Sequence, residues 1–192
     1  MDRKATGIWL FSHKKVQGNF VEWYRDMTEL FLRLGHKPTH IVVQFVLYGE
    51  IRIVTVARKE KEILQRLSEG EIPTHISLLA CPKTKEGMRT EDYVLVAEYK
   101  VLGRSKDCIL YVVMDNTRCD TRDLDLKEIM GILEKYTELD YGEIVTCSGP
   151  GRIRGIENYV SYKHASVING KKRVTGSDVE ILKIYKGEKY VE

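Results

Sequence analysis

Two short strings in this 192-residue chain set an imidazole two positions before a hydroxyl: Thr74-His75-Ile76-Ser77-Leu78-Leu79 and Lys163-His164-Ala165-Ser166-Val167-Ile168. Each reads His-x-Ser-aliphatic inside an apolar run, and the two histidines are 89 positions apart. In an extended strand successive side chains alternate faces, so His75 and Ser77 would point one way and Ile76 and Leu78 the other. The same alternation would set His164 and Ser166 against Ala165 and Val167. Two such pairs facing one groove would suit metal-free phosphodiester chemistry. One histidine takes a proton, the other gives one, and the hydroxyls hold the phosphate oxygens. His13, His36 and His40 do not repeat the pattern.

Neighbouring residues extend the candidate site. Asn169-Gly170 is a pair favoured in two-residue type I′ hairpins. In that register Ser166 pairs with Arg173, whose guanidinium fork would stand beside the hydroxyl as a phosphate-binding group. Tyr162, two residues before His164, would share its face and offer a base-stacking platform. Arg152 and Arg154, beside Gly149-Pro150-Gly151, are candidates for the groove mouth. The string Ser148 to Arg152 lacks the G-x-x-x-x-G-K-[ST] order of a phosphate-binding loop. No His, Cys or carboxylate cluster has metal-ligand spacing, so neither a metal nor a cofactor is expected. A plain structural role is open for every one of these groups: the histidines and serines can pack in strands, and Arg173 can sit on a solvated basic hairpin tip.

Composition sets the outer bounds. Apolar residues make up 43% and charged residues 31%, with a net charge of +3, an ordinary soluble balance. That charge does not mark a nucleic-acid coat; it suits a protein that meets a small anionic ligand locally. Cys81, Cys108, Cys119 and Cys147 form no C-x-x-C pair and read as reduced thiols. The first apolar stretch, Gly7 to Phe11, is interrupted by Ser12-His13-Lys14-Lys15, too early for a signal peptide. No run approaches the roughly 18 apolar residues of a membrane span. A cytoplasmic protein, with a monomer favoured, is the expectation.

The elements that must position the two motifs are readable in outline. Residues 8–12 read as a strand. Asn19 caps an amphipathic helix with apolar positions Phe20, Trp23, Tyr24, Met27, Leu30, Phe31 and Leu34, closed by Gly35. Strands over 39–48 and 51–57 flank Gly49-Glu50, which suggests a type II′ hairpin. A helix over 59–67 carries Ile63, Leu64 and Leu67 inward, and residues 72–80 form the strand of the first motif. A polar connector covers 83–90, and strands follow over 93–101 and 108–114. Asp123 opens a helix carrying Leu126, Ile129, Met130, Leu133 and Tyr136. Strands at 143–146, at 159–168 with the second motif, and at 179–185 complete the chain.

Each half thus leads strands and a helix into a His-x-Ser strand. That echo predicts one α+β domain of two lobes, roughly 1–90 and 91–192. Each lobe would be an antiparallel sheet with outer helices, pseudo-duplicated about a central groove.

On the two His-x-Ser-aliphatic motifs, their spacing and the 108–136 strand and helix between them, the sequence resembles the two-histidine (2H) phosphoesterases. These are the LigT-like enzymes, which include viral 2′-5′ phosphodiesterases. The resemblance implies a metal-independent phosphodiesterase. Its substrate would be a 2′-5′ or 2′,3′-cyclic linkage in a small nucleotide, cyclic dinucleotide or short oligonucleotide such as 2′-5′ oligoadenylate. His75 and His164 would be the catalytic pair, with Ser77 and Ser166 on the phosphate. The alternative is a non-enzymatic α+β binding protein, of the toxin-neutralising or host-factor-binding type, whose histidines only pack. A weaker third reading is an RNA-binding module. The enzyme reading requires His75 and His164 in one open groove.

Overall fold

In a computed structural model, the described residues are 4–14, 19–82, 93–102, 107–122, 124–149, 151–169 and 179–187, with backbone alone over 162–169. Strand β1 (Lys4–Ser12) leads into helix α1 (Phe20–Arg33), then strands β2 (His40–Gln44) and β3 (Arg52–Thr55). Helix α2 (Val56–Ser68) precedes β4 (His75–Ala80), β5 (Leu95–Val101) and β6 (Cys108–Asp115). Helix α3 (Leu126–Glu134), β7 (Tyr141–Ser148), α4 (Arg152–Asn169) and β8 (Val179–Lys186) finish the order.

The class is α+β, as the sequence suggests, but the eight strands form one sheet in the order β3-β2-β4-β5-β6-β1-β7-β8. Every pairing is antiparallel. The expected division into two sheets does not occur, because β1 pairs with β6 on one side and β7 on the other. The N-terminal strand thereby joins the two halves of the chain into one surface.

Local chemistry accounts for the helices on the first face. The Asn19 side-chain oxygen accepts from the amides of Val21 (3.0 Å) and Glu22 (3.3 Å), satisfying donors that open every helix. Gly35 takes the left-handed conformation (φ 82°) just beyond the end of α1. The apolar stripe of α1 packs with Ile63 and Leu67 of α2 and Ile129, Met130 and Leu133 of α3 on Ile8, Leu10, Ile76, Leu78, Leu110 and Val112 of the sheet.

The other face is covered by α4. Its Ile153, Ile156, Tyr159 and Val160 pack on Ala5, Trp9, Tyr111, Val113 and Val145. This corrects the expectation of a strand over residues 159–168. Strands β1 and β6 are apolar on both faces, so the sheet needs a second covering layer, and the chain after β7 supplies it. The connection between β7 and α4 carries two left-handed glycines, Gly149 (φ 90°) and Gly151 (φ 69°). Arg152, the first residue of α4, forms a buried ion pair with Asp115 at the end of β6. The cross-strand pairing of Ser166 with Arg173 therefore fails at its first step, since Ser166 is helical. Residues 83–90, Gly170 and Arg173 lie outside the described residues.

The β2–β3 connection also differs from its expectation. Val46 O accepts from the Gly49 amide at 2.8 Å, and Tyr48 carries the positive φ (62°) in this turn. Gly49 serves close packing instead: a Cβ there would meet Val46 O at 2.9 Å. No helix among the described residues is long and apolar enough to cross a membrane.

Candidate functional site

His75 and Ser77 do share one face of β4, the face that α4 covers further along the sheet. Strand register extends that face into a row. Ser77 pairs with Glu98 on β5, Glu98 with Tyr111 on β6, Tyr111 with Trp9 on β1, and Trp9 with Glu143 on β7. Five adjacent strands thus bring a hydroxyl, two carboxylates, a phenol and an indole into one line beneath and beside α4.

At one end the polar groups form a closed triangle. His75 Nε2 lies 2.9 Å from Ser77 Oγ and 3.1 Å from Glu98 Oε2, and Ser77 Oγ donates to the same carboxylate oxygen at 2.8 Å. Donor arithmetic fixes the protons. The only Ser77 proton goes to Glu98, so the short contact with Nε2 needs a proton on the imidazole nitrogen. His75 is therefore a donor here and not a base toward Ser77. The geometry is not a nucleophile triad, in which the carboxylate and the hydroxyl meet opposite ring nitrogens. The side chains of His75 and Glu98 are 11% and 14% exposed, and Ser77 is buried.

Burial alone would raise the Glu98 pKa. Hydrogen bonds and charge from His75, with the Ser77 hydrogen bond and the Lys100 charge, more than offset it and hold the carboxyl below its ordinary range. Glu157 of α4 behaves in the opposite way. Burial first, then the Glu98 charge, push its pKa up to about 7, against weaker opposing contributions from Arg154 and Tyr111. Burial, and then the charges of Glu98 and Glu157, raise the Tyr111 pKa well above normal.

Further along the row Glu143 is fully buried. It accepts from Tyr159 of α4 at 2.7 Å and from Tyr141 of its own strand. Among the described residues no group of three or more His, Cys, Asp or Glu side chains could hold a metal ion.

The structure thus separates the candidate residues into two sets. His75 and Ser77 stand together as alternation requires. Tyr162, His164 and Ser166 belong to α4, where positions two apart are about 200° apart around the axis. Tyr162, His164 and Ser166 therefore do not share one strand face. Their side chains, like Arg173, lie outside the described residues. Arg152 is not at a groove mouth but buried on Asp115, while Arg154 is exposed and 3.6 Å from Glu157.

Sequence reasoning missed Glu98, Tyr111, Glu143 and Glu157. The signal for Glu98 and Glu143 was a lone carboxylate inside an otherwise apolar strand, Leu95-Val96-Ala97-Glu98-Tyr99 and Tyr141-Gly142-Glu143-Ile144-Val145. A charge at such a position must find partners or stay neutral. Comparisons of the chain with protein-family models, with curated proteins and with solved structures find no match.

Proposed function

We propose that this chain works by binding a protein partner through the corner of the molecule where β2 turns into β3. Tyr48 carries the reading. It is 77% exposed at the tip of that turn, in a left-handed conformation that bulky residues rarely adopt. Val46, Ile51, Ile53 and Ile72 surround the corner, each more than half exposed. The Thr74 amide bonds Gln44 O at 2.8 Å, which ties the α2–β4 connection bearing Ile72 to the end of β2. A displayed tyrosine ringed by aliphatics is the composition of an interface hot spot, and exposed apolar side chains gathered in one place mark interaction sites.

The polar cluster supports the same reading. Ser77 directs its one proton to Glu98, His75 Nε2 holds its proton toward Ser77 and Glu98, and Glu98 brings negative charge to the face where a phosphate would have to lie. The test uses a photo-crosslinking residue at Tyr48, and in parallel at Lys61, exposed on α2, in cells that make the protein. A discrete adduct from position 48 that Ile53→Asp removes, with none from position 61, is the expected result. Equal adducts from both positions would overturn the proposal.

One observation favours the phosphodiesterase as a second reading. His75 and Ser77 are on the sheet face that α4 covers, and α4 carries His164. The test of that reading is incubation with 2′-5′ oligoadenylate, 2′,3′-cyclic nucleotides and cyclic dinucleotides in EDTA, with products separated. Turnover lost in both His75→Ala and His164→Ala would establish it and displace the binding reading. No turnover, or turnover that survives either change, removes it.

A further inference from the structure

Glu98 and Glu157 are two buried carboxyl groups from different elements, and they differ in their partners. Glu98 is already served by Ser77 and His75. Glu157 is not: its Oε2 is buried without a hydrogen-bond partner, and the nearest cation, Arg154 Nη1, is 3.6 Å away on an exposed side chain. A charged carboxylate in that setting leaves a buried anion undersatisfied. A neutral carboxyl resolves the problem, because no charge is then left buried without a partner.

We propose that Glu157 is held in its acid form when α4 is docked on the sheet, and that its ionisation opposes docking, so that α4 loosens as pH rises. The pKa of Glu157, pushed up to about 7 by burial and the Glu98 charge, is consistent with that direction.

The groups facing this point from each packed element are few among the described residues. They are His75 on β4, Glu98 and Lys100 on β5, Tyr111 on β6, Tyr93 just before β5, and Arg154 on α4 itself. On β7, Glu143 is engaged by Tyr141 and Tyr159. Arg152 is engaged by Asp115 at the start of α4. Glu157 is thus the buried carboxyl whose ionisation opposes docking.

The test is amide hydrogen exchange of α4 peptides against those of β1 and β6, corrected for the intrinsic rate, from pH 5.5 to 8.5. Protection of α4 should fall by tenfold or more across this range while β1 and β6 change little. Glu157→Gln, which keeps a neutral donor at that position at every pH, should flatten the profile. A flat wild-type profile, or a variant that follows wild type, overturns the proposal. Carbon-13 NMR of labelled glutamate carboxyls in the unaltered protein gives a second reading that needs no variant. One glutamate should titrate near pH 7, and none doing so would equally overturn it.

Discussion

Tyr48 stands at the third position of the Val46–Gly49 turn, where positive φ ordinarily selects glycine. A left-handed L-residue costs roughly 1–2 kcal/mol, and glycine in its place forfeits about 0.5–1 kcal/mol of chain entropy. Tyr48→Gly should therefore leave stability within about 1 kcal/mol of wild type, or slightly above it, while removing the partner contact. Tyr48→Val, β-branched at the same φ, should be the least stable of the three. Urea midpoints at unchanged slope rank them, and a valine variant as stable as the glycine one would show that the turn is not strained. Ser77 makes the complementary case. Its hydrogen bond helps hold Glu98 ionised, so Ser77→Ala should cost about 1–3 kcal/mol. The sign with pH follows from linkage. A carboxyl with a depressed folded pKa contributes stability above its ordinary value and loses it as pH falls through the folded one. The Ser77→Ala deficit should therefore be larger at pH 7 than below pH 4. Equal deficits at both would assign the loss to packing alone.

Element by element, what was legible in the sequence is what short-range physics decides. For α1 the cap, the apolar stripe and the closing glycine were all readable, because each concerns residues within four positions of one another. The strand of His75 was readable for the same reason: alternation is local. The helix α4 was not. Residues 159–168 fit a period of two over the motif, while Ile153, Ile156 and Val160 fit helical spacing one turn earlier. The decision between them is tertiary. Two strands apolar on both faces demand a second layer, and the demand lies in β1 and β6, far from α4 in sequence. The burial of Glu157 depends on that same docking, so it could not be read before the layer was known. Gly7 is where helix and sheet come closest: a Cβ there would run into the Ile156 side chain. Gly7→Val should accordingly cost about 1–3 kcal/mol, the range for overpacking a filled core. It should also expose α4 selectively, read as a larger loss of exchange protection in 152–161 than in α1. Uniform loss across both helices would mean that Gly7 serves the strand and not the docking.

For the whole molecule, pH acts on two limbs through different carboxyls. On the acid side, Glu98 and Asp115 are held below their ordinary values despite burial, Glu98 by His75 and Ser77, Asp115 by Thr117 and Arg152. Both contribute stability that is present above the ordinary carboxyl range and drains away as pH falls through their lowered values. Glu157 has the opposite sign. Its folded pKa lies above its ordinary 4.5, at about 7, so the folded state binds the extra proton and stability declines as pH rises between those values. At about 1.4 kcal/mol per pH unit, the decline is of order 3 kcal/mol. That is a sizeable share of the 5–15 kcal/mol typical of a domain. The two limbs cross near the ordinary carboxyl range, which places the stability maximum at about pH 4–5, on the acid side of the usual optimum. Replacing Glu157 by Gln removes the neutral-side limb and leaves the acid one, so the maximum should broaden toward pH 7–8 with the acid edge unmoved. Thermal or urea unfolding from pH 3 to 9 on both proteins checks this. A wild-type optimum already at pH 7–8, or an acid edge that shifts with Glu157→Gln, would contradict the division of labour between the two glutamates.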